Sequence, residues 1–339
     1  MISTPPPPAA ALNRLDVVLN DAATLVQFAS EATGLDAGEV AKRLVEENAR
    51  IGGSVWQELQ ERKIAPFQWS EALVKFYQTT IAFVFESIVW NRSSLKQQMR
   101  QWIVDFLQRE FRGPVEVLVF GDGLGFDSAC LAAAGHNVSY FEVSQKAIGF
   151  ATNVFKACDC EVQVLTAMKQ VQAKKYDAVV CLDVLEHVPD PVQLVELLTS
   201  VLKPEGRLIV HAPFWYLSSS VGTHLASNRK YSGDVRRLYR PNGLRPVDAA
   251  MFLNPIALAP ASSATSGLDA GFRRQSAWSR LQMGLGCGLL SIGRFWSLPH
   301  ALITGWMLTR SLGKWPEMEQ IAAAAGVAPR EVVSCEVVS

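Results

Sequence analysis

Val115-Glu116-Val117-Leu118-Val119-Phe120-Gly121-Asp122-Gly123-Leu124-Gly125 is the stretch on which the reading of this chain turns. Six mostly apolar, partly β-branched residues fit a buried strand. Three alternate glycines follow, then a helix-like run from Phe126 to Ala134. Glycines at 121, 123 and 125 remove the side chains that would block close backbone approach, so a flat or extended molecule can lie over the strand's carboxyl end.

Outward from that turn, short strands and helices alternate. Strands are expected at Val115–Phe120, Asn137–Glu142, Glu161–Leu165, Ala178–Leu182 and Gly206–Ala212, with Lys203-Pro204-Glu205-Gly206 as a turn into the fifth. The alternation predicts an α/β fold with a parallel, doubly wound sheet. Arg245–Leu258, broken at Asn254-Pro255, reads as a terminal hairpin.

Before the sheet, Leu15–Phe111 has helical spacing. Asp36 with Glu39 fits a capping box opening a helix to about Arg50, and Ser94 with Gln97 fits another opening one to about Phe111. Ala72–Trp90 between them is rich in aromatic residues. It reads as the core of a helical subdomain or as a lid with Trp56, Trp69 or Tyr77 facing substrate. The expected organisation is a disordered tail at 1–12, a helical subdomain at 13–112, a binding core at 113–260, and a C-terminal loop and helical extension at 261–339. Ala259–Gly271 reads as a mobile loop and Glu331–Val338 as an edge strand or tail.

The chain has 339 residues, with 32 basic and 32 acidic side chains, so it lacks the electrostatic footprint of a nucleic-acid binder. The six cysteines, at 130, 158, 160, 181, 287 and 335, have no zinc spacing and fit a reduced, cytoplasmic setting; no metal is expected. Leu281–Leu308 is the most hydrophobic long run. Arg294 and Pro299-His300 interrupt it, so each half is too short to cross a bilayer, and two buried or homodimer-forming helices are expected rather than a membrane anchor.

The turn discriminates among cofactors. A dinucleotide fingerprint wants glycine or alanine where Phe126 stands, and the Gly-Lys-Ser/Thr of a P-loop is absent. Glu142 ends the second strand, placed to accept hydrogen bonds from both ribose hydroxyls. Together these point to a nucleoside without a phosphate. A third polar run, Asp183-Val184-Leu185-Glu186-His187-Val188-Pro189-Asp190-Pro191, follows the fourth strand and falls at the same sheet edge.

Over about residues 113–215 these motifs resemble the class I S-adenosylmethionine-dependent methyltransferases, and the run at 183–191 is similar to their quinone-biosynthesis and related small-molecule branch. The resemblance implies a Rossmann-like sheet, S-adenosylmethionine as cofactor and a small-molecule substrate. It implies that Gly121, Asp122, Gly123 and Gly125 hold the methionine part and that Glu142 and Val143 meet the ribose. Thr166, Ala167 and Met168 then flank the adenine, with Asp183 and Val184 near the sulfonium end. Val119 and Thr166 or Ala167 stand where the family often has acids, so a side-chain carboxylate on the adenine is not expected. His187 is the first candidate for a proton acceptor and His211, ending strand five, and His224 are the others; Tyr216 and His224 lie in the region after strand five that builds the acceptor pocket in the family. Trp215, Asn228 and Tyr231 are expected to line it. Methyl transfer in biosynthesis is the leading reading. Intramolecular cyclisation of S-adenosylmethionine to azetidine-2-carboxylate with release of methylthioadenosine is an alternative, and a non-catalytic methyltransferase-like binding subunit is another.

Overall fold

The computed structural model describes residues 9–250, 255–261 and 277–326. At its centre, β1 (Glu116–Phe120), β2 (Asn137–Phe141), β3 (Val162–Leu165), β4 (Tyr176–Leu182) and β5 (Leu202–His211) run parallel, and β6 (Leu244–Ala249) and β7 (Ile256–Pro260) add an antiparallel hairpin. The order is β3-β2-β1-β4-β5-β7-β6. Strand order reverses between β1 and β4, so the loops leaving their carboxyl ends part there and open a crevice. The glycine turn leaves β1 into that crevice and Asp183 leaves β4 into it.

All five parallel strands and the terminal hairpin fall where the sequence places them, because strands covered on both faces read as apolar runs. The Lys203–Gly206 turn is a difference. Tyr176 pairs with Leu202 and Ala178 with Arg207, so five steps on β5 face two on β4 and three extra residues bulge out within the strand.

Between the strands lie α8 (Phe126–Ala133), α9 (Gln145–Ala157), α10 (Met168–Gln172) and α11 (Pro191–Ser200). Seven helices precede the sheet: α1 (Ala9–Asn20), α2 (Ala22–Thr33), α3 (Ala37–Ala49), α4 (Gly53–Glu61), α5 (Glu71–Thr79), α6 (Ala82–Arg92) and α7 (Ser94–Glu110). Asp36 caps α3 through the Glu39 amide as expected. For α7 the cap is Ser93, accepting from the Lys96 amide, one residue earlier than the sequence reading. The aromatic run is two helices, parted at Thr80. Because α1 starts at Ala9, residues 9–12 of the expected tail are helical, and the first eight lie outside the described residues. So do 262–271 of the expected loop and the expected strand at 331–338.

The helices α1, α2, α3, α6 and α7 share one core with the sheet, while Val55 and Leu59 of α4 and Leu73 and Phe76 of α5 form a second, smaller cluster. Phe28 of α2 meets Phe150 of α9 edge-on at 5.8 Å, and Phe126 of α8 meets the same ring at 5.8 Å. After the sheet's fifth strand come α12 (Val235–Leu238), α13 (Ala277–Ser291), α14 (Leu298–Leu312) and α15 (Pro316–Ala324). The last of these packs on α3, and the Arg92 guanidinium lies 3.5 Å from the centroid of the buried Trp315 ring.

A buried charge cluster joins α7 to the sheet edge. Lys96 Nζ lies 3.0 Å from Asp127 and 3.2 Å from Asp183, and Arg100 Nε lies 2.8 Å from Asp127. Removing one partner of such a group leaves a buried charge uncompensated. Lys96→Met is therefore expected to destabilise the fold by about 3 to 5 kcal/mol, read as a lowered urea midpoint. An unshifted midpoint would show that the two aspartates do not depend on Lys96.

Candidate active site

Each glycine of the turn has its own reason to be glycine. A Cβ on Gly121, at φ 74, would sit 2.7 Å from a Val184 methyl, so this residue lets the β1 and β4 loops touch. A Cβ on Gly125, at φ 80, would strike Ala151 and Phe155, so it lets α8 lie against α9. At Gly123, φ 64, an added Cβ would meet no protein atom within 4 Å. This middle glycine leaves open space for a ligand against bare backbone.

Around it, Tyr140 donates its hydroxyl to the Gly123 carbonyl at 2.6 Å, and Glu142 accepts from the Gly123 amide at 3.0 Å. The other Glu142 oxygen accepts from the Val143 and Ser144 amides at 2.7 and 3.0 Å. Three of a carboxylate's roughly four acceptor directions are thus used in bracing the loop. Val143 beside it is 59% exposed, an apolar surface that packs on no core. Asp122 caps α8, accepting from Asp127 and Ser128 amides at 3.2 and 2.7 Å; burial and the Asp127 charge push its pKa up to about 7. Thr166 and Ala167 give their amides to the Gln170 side chain, both at 2.9 Å, at the start of α10.

Across the crevice, Asp183 has a left-handed backbone, φ 58, a conformation that costs a non-glycine residue on the order of 1 to 3 kcal/mol. Its side chain explains how the strain is held. One oxygen lies 2.6 Å from His211 Nδ1; the other accepts from Trp90 Nε1 at 2.9 Å and pairs with Lys96. Burial would raise this carboxyl, but Lys96, His211 and the Trp90 bond outweigh it and hold the pKa far below the usual carboxylate range.

Asp183 and His211 face a cavity of about 180 Å³. The sheet edge gives Glu186 and His187, the loop after β5 gives Trp215, Tyr216 and His224, α6 and α7 give Glu86, Trp90, Leu95 and Met99, and α14 gives Thr304, Met307 and Leu308. Trp215 Nε1 donates to Thr304 at 3.2 Å and so ties that loop to α14.

The histidines differ in environment. His224 Nδ1 lies 2.8 Å from the Tyr216 carbonyl, which only accepts, so Nδ1 carries the proton and Nε2 a lone pair. His187 Nδ1 lies 3.2 Å from the Thr223 carbonyl and 3.1 Å from the Tyr77 hydroxyl. Burial lowers the His187 pKa to about 4 and pushes His224 well below its ordinary value, where the nearby His187 also acts. Between them, Glu186 is 1% exposed and neither carboxylate oxygen has a hydrogen-bond partner. Burial, then the Asp183 charge, raises its pKa well above the usual range. Glu186, His187 and His224 bring one ligand atom each within 4.8 Å of one another, a donor set of the kind that can hold a divalent cation.

His187, Trp215, Tyr216, His224 and Asp183 thus meet at one cavity, whereas Asn228 and Tyr231 do not line it. Asn228 is buried and donates its amide to the carbonyls of Leu185, Glu186 and Val188, clamping the loop after β4 from beneath. Tyr231 packs on Phe214 at 5.8 Å. Of the aromatics suggested for a lid, only Tyr77 reaches a site residue; Trp69 is 45% exposed and Trp56 packs on Phe67. Sequence reasoning passed over Trp90, Lys96, Glu186 and the α14 residues as site residues, and ranked His211 behind His187 as a proton acceptor.

Residues 118–210 match a family described as a methyltransferase domain. The match covers just over a quarter of the chain. Over 152 residues the chain is 30% identical to a ubiquinone biosynthesis O-methyltransferase of Ralstonia nicotianae, covering 42% of this chain and 64% of that protein. It is 33% identical over 100 residues to one of Xylella fastidiosa, covering 28% and 40%. The chain therefore spans between two fifths and just under two thirds of the length of these curated relatives. Among solved structures, an O-methyltransferase family protein from Burkholderia thailandensis aligns with 66% of this chain and 70% of its own at 15% identity and TM-score 0.44. A magnesium protoporphyrin IX methyltransferase from Synechocystis PCC 6803 aligns with 56% and 96% at 21% identity and TM-score 0.42. The matched segment of the methyltransferase domain holds the glycine turn, Glu142 and Asp183, and it stops at Val210, one residue short of His211.

The neutral histidines give the domain a pH dependence of defined sign. Between about 4 and the ordinary 6.5, the unfolded chain binds the His187 proton and the folded one does not. Stability therefore rises with pH through that window and is lost as pH falls through it, by roughly 3 kcal/mol for this residue. His224 acts in the same direction and Glu186 in the opposite one. The test is therefore the difference between wild type and His187→Asn, whose urea midpoint should depend less steeply on pH from 6.5 down to 4. Parallel profiles would refute the assignment.

Proposed function

We propose that this protein transfers a methyl group from S-adenosylmethionine to a hydroxyl oxygen of a small acceptor held in the cavity between the sheet edge, α6, α7 and α14. The observation that carries the reading is the Asp183–His211 pair at the wall of that cavity, beside the open glycine turn.

The residues present fit the cofactor. Open space at Gly123 admits a ligand against backbone, Gly121 and Gly125 keep the turn tight, and Asp122 holds α8 in place behind it. Glu142 retains acceptor capacity for a ribose hydroxyl, the exposed Val143 offers an apolar face to a nucleobase, and Thr166, Ala167 and Met168 lie at the neighbouring loop. Asp183 and Val184 border the turn from the β4 side. Bound there, S-adenosylmethionine supplies an electrophilic methyl group on a sulfonium.

What remains for the protein is to orient the acceptor, exclude water and take one proton. His211 suits the last task. Its Nδ1 is held by Asp183, which fixes the ring and stabilises the imidazolium formed when the other nitrogen takes the hydroxyl proton. His187 and His224, with lowered pKa values, are weaker bases and serve as neutral hydrogen-bonding groups for the acceptor. Trp90, Trp215 and Tyr216 supply aromatic walls that suit a single-ring acceptor and a nearby cation. The names of the relatives in ubiquinone biosynthesis agree with a hydroxylated ring as the acceptor class.

Incubation with S-adenosylmethionine and catechol as probe, followed by mass spectrometry, should yield S-adenosylhomocysteine and a methyl ether. Methylthioadenosine and a new amino acid, formed without acceptor, would replace this reading by intramolecular cyclisation. His211→Gln is expected to lower kcat by about 100-fold or more while leaving cofactor affinity within about threefold; undiminished kcat would remove His211 as the base. Glu142→Ala should weaken S-adenosylmethionine binding by about 10- to 100-fold in calorimetry, and unchanged affinity would refute its role.

A further inference from the structure

Among the described residues, exposed large apolar side chains concentrate in one place. Nine of the twelve lie between Leu281 and Trp306. On α13, Leu281, Leu285 and Leu289 recur every four residues and form one uncovered stripe, each about half exposed. On α14, Leu302, Ile303 and Trp306, at one- and three-residue spacing, form another uncovered patch. Where the helices join, Phe295 is 84% exposed and Trp296 59%. Of the two expectations for Leu281–Leu308, buried or dimer-forming helices, full burial is not what the structure has: Gly286, Leu290, Ala301 and Leu308 face inward, and the opposite face has no cover among the described residues.

Charge indicates what covers it. From 270 to 316 the sequence has no aspartate or glutamate and six basic residues. Arg294 is turned inward onto Asp234 at 2.9 Å, whereas Arg280, Arg310 and Lys314 are exposed. Arg310 lies over the Trp306 ring at 4.3 Å. Arg236 and Arg237 on the adjoining α12 are also exposed. A two-fold contact between copies would set this face against itself and bring cations against cations. A surface of anionic headgroups over acyl chains satisfies both features, because aromatic and aliphatic side chains enter the interface while arginines pair with phosphates. Neither α13 nor α14, each of 15 residues, is long enough to cross a bilayer.

We propose that the uncovered face of α13 and α14 docks this protein on an anionic lipid bilayer, with Phe295 and Trp296 entering the interface and the arginines holding headgroups. The inference does not depend on the reaction the cavity performs.

Co-sedimentation with phosphatidylcholine vesicles containing about 30 mol% phosphatidylglycerol tests it. The full chain is expected to pellet with these vesicles, at least about tenfold more than with phosphatidylcholine alone, and to be released by about 0.5 M salt. Phe295→Ser/Trp296→Ser and, separately, Arg280→Glu/Arg310→Glu should each reduce binding about tenfold or more, with thermal melts matching wild type. A wild-type chain that stays in the supernatant overturns the proposal, as does a Phe295→Ser/Trp296→Ser variant that pellets like wild type. So does light scattering that shows a wild-type dimer made monomeric by that same variant, with no vesicle binding, since the face would then be an interface between copies.

Discussion

The carboxylate of Asp183 is the point on which the site depends. It leaves β4 in a left-handed conformation, and four groups from four elements hold it there: Trp90 on α6, Lys96 on α7, His211 on β5 and, through Lys96, Asp127 on α8. Taking these charges out of water is unfavourable, and only the close mutual pairing returns that loss. The geometry is therefore close to all-or-none. With every partner in place, the loop after β4, the first turn of α8 and the helices α6 and α7 are fixed relative to one another; with one missing, a buried charge stands alone. A helical layer wired in this way is a wall of the site.

The same network sorts three histidines that look alike in sequence. His211 pairs with the Asp183 carboxylate. His187 and His224 lie among carbonyls, aromatic rings and each other, and burial keeps them neutral. Glu186 sits between these two without a hydrogen bond, so its neutral form is favoured as well. One cavity thus has an ionic corner and a neutral corner a few ångströms apart. Groups with opposed electrostatic settings can divide proton transfer and hydrogen bonding between them.

The sheet was legible in the sequence because each parallel strand is buried on both faces and its residues answer only to that burial. The glycine turn and Glu142 were legible for a related reason: backbone conformation and close approach restrict the residue type at those places, whatever surrounds them. The cavity was not legible. Trp90, Met99 and Met307 reach it from helices as much as two hundred residues and more apart, and no local pattern records that helices far apart in sequence converge. Asn228 shows the converse error. A polar side chain in a loop after strand five suggests a pocket, but the Asn228 amide is taken up by the backbone carbonyls of Leu185, Glu186 and Val188 at the bend after β4.

The C-terminal helices show why a hydrophobic run can be misread even when its periodicity is clear. On α14, Ala301, Leu308 and Leu312 face the core and Thr304 and Met307 face the cavity, while Leu302, Ile303 and Trp306 point away from both. A helix that is apolar on all sides normally signals full burial. Here it signals two different apolar surroundings, one inside the protein and one outside it. The distinction rests on charge rather than on hydropathy, since from 270 to 316 the chain carries cations and no carboxylate. Because one side of α14 is also the cavity wall, whatever holds its outer side restrains the position of Thr304, and through it the Trp215 indole and the loop that ends in His224.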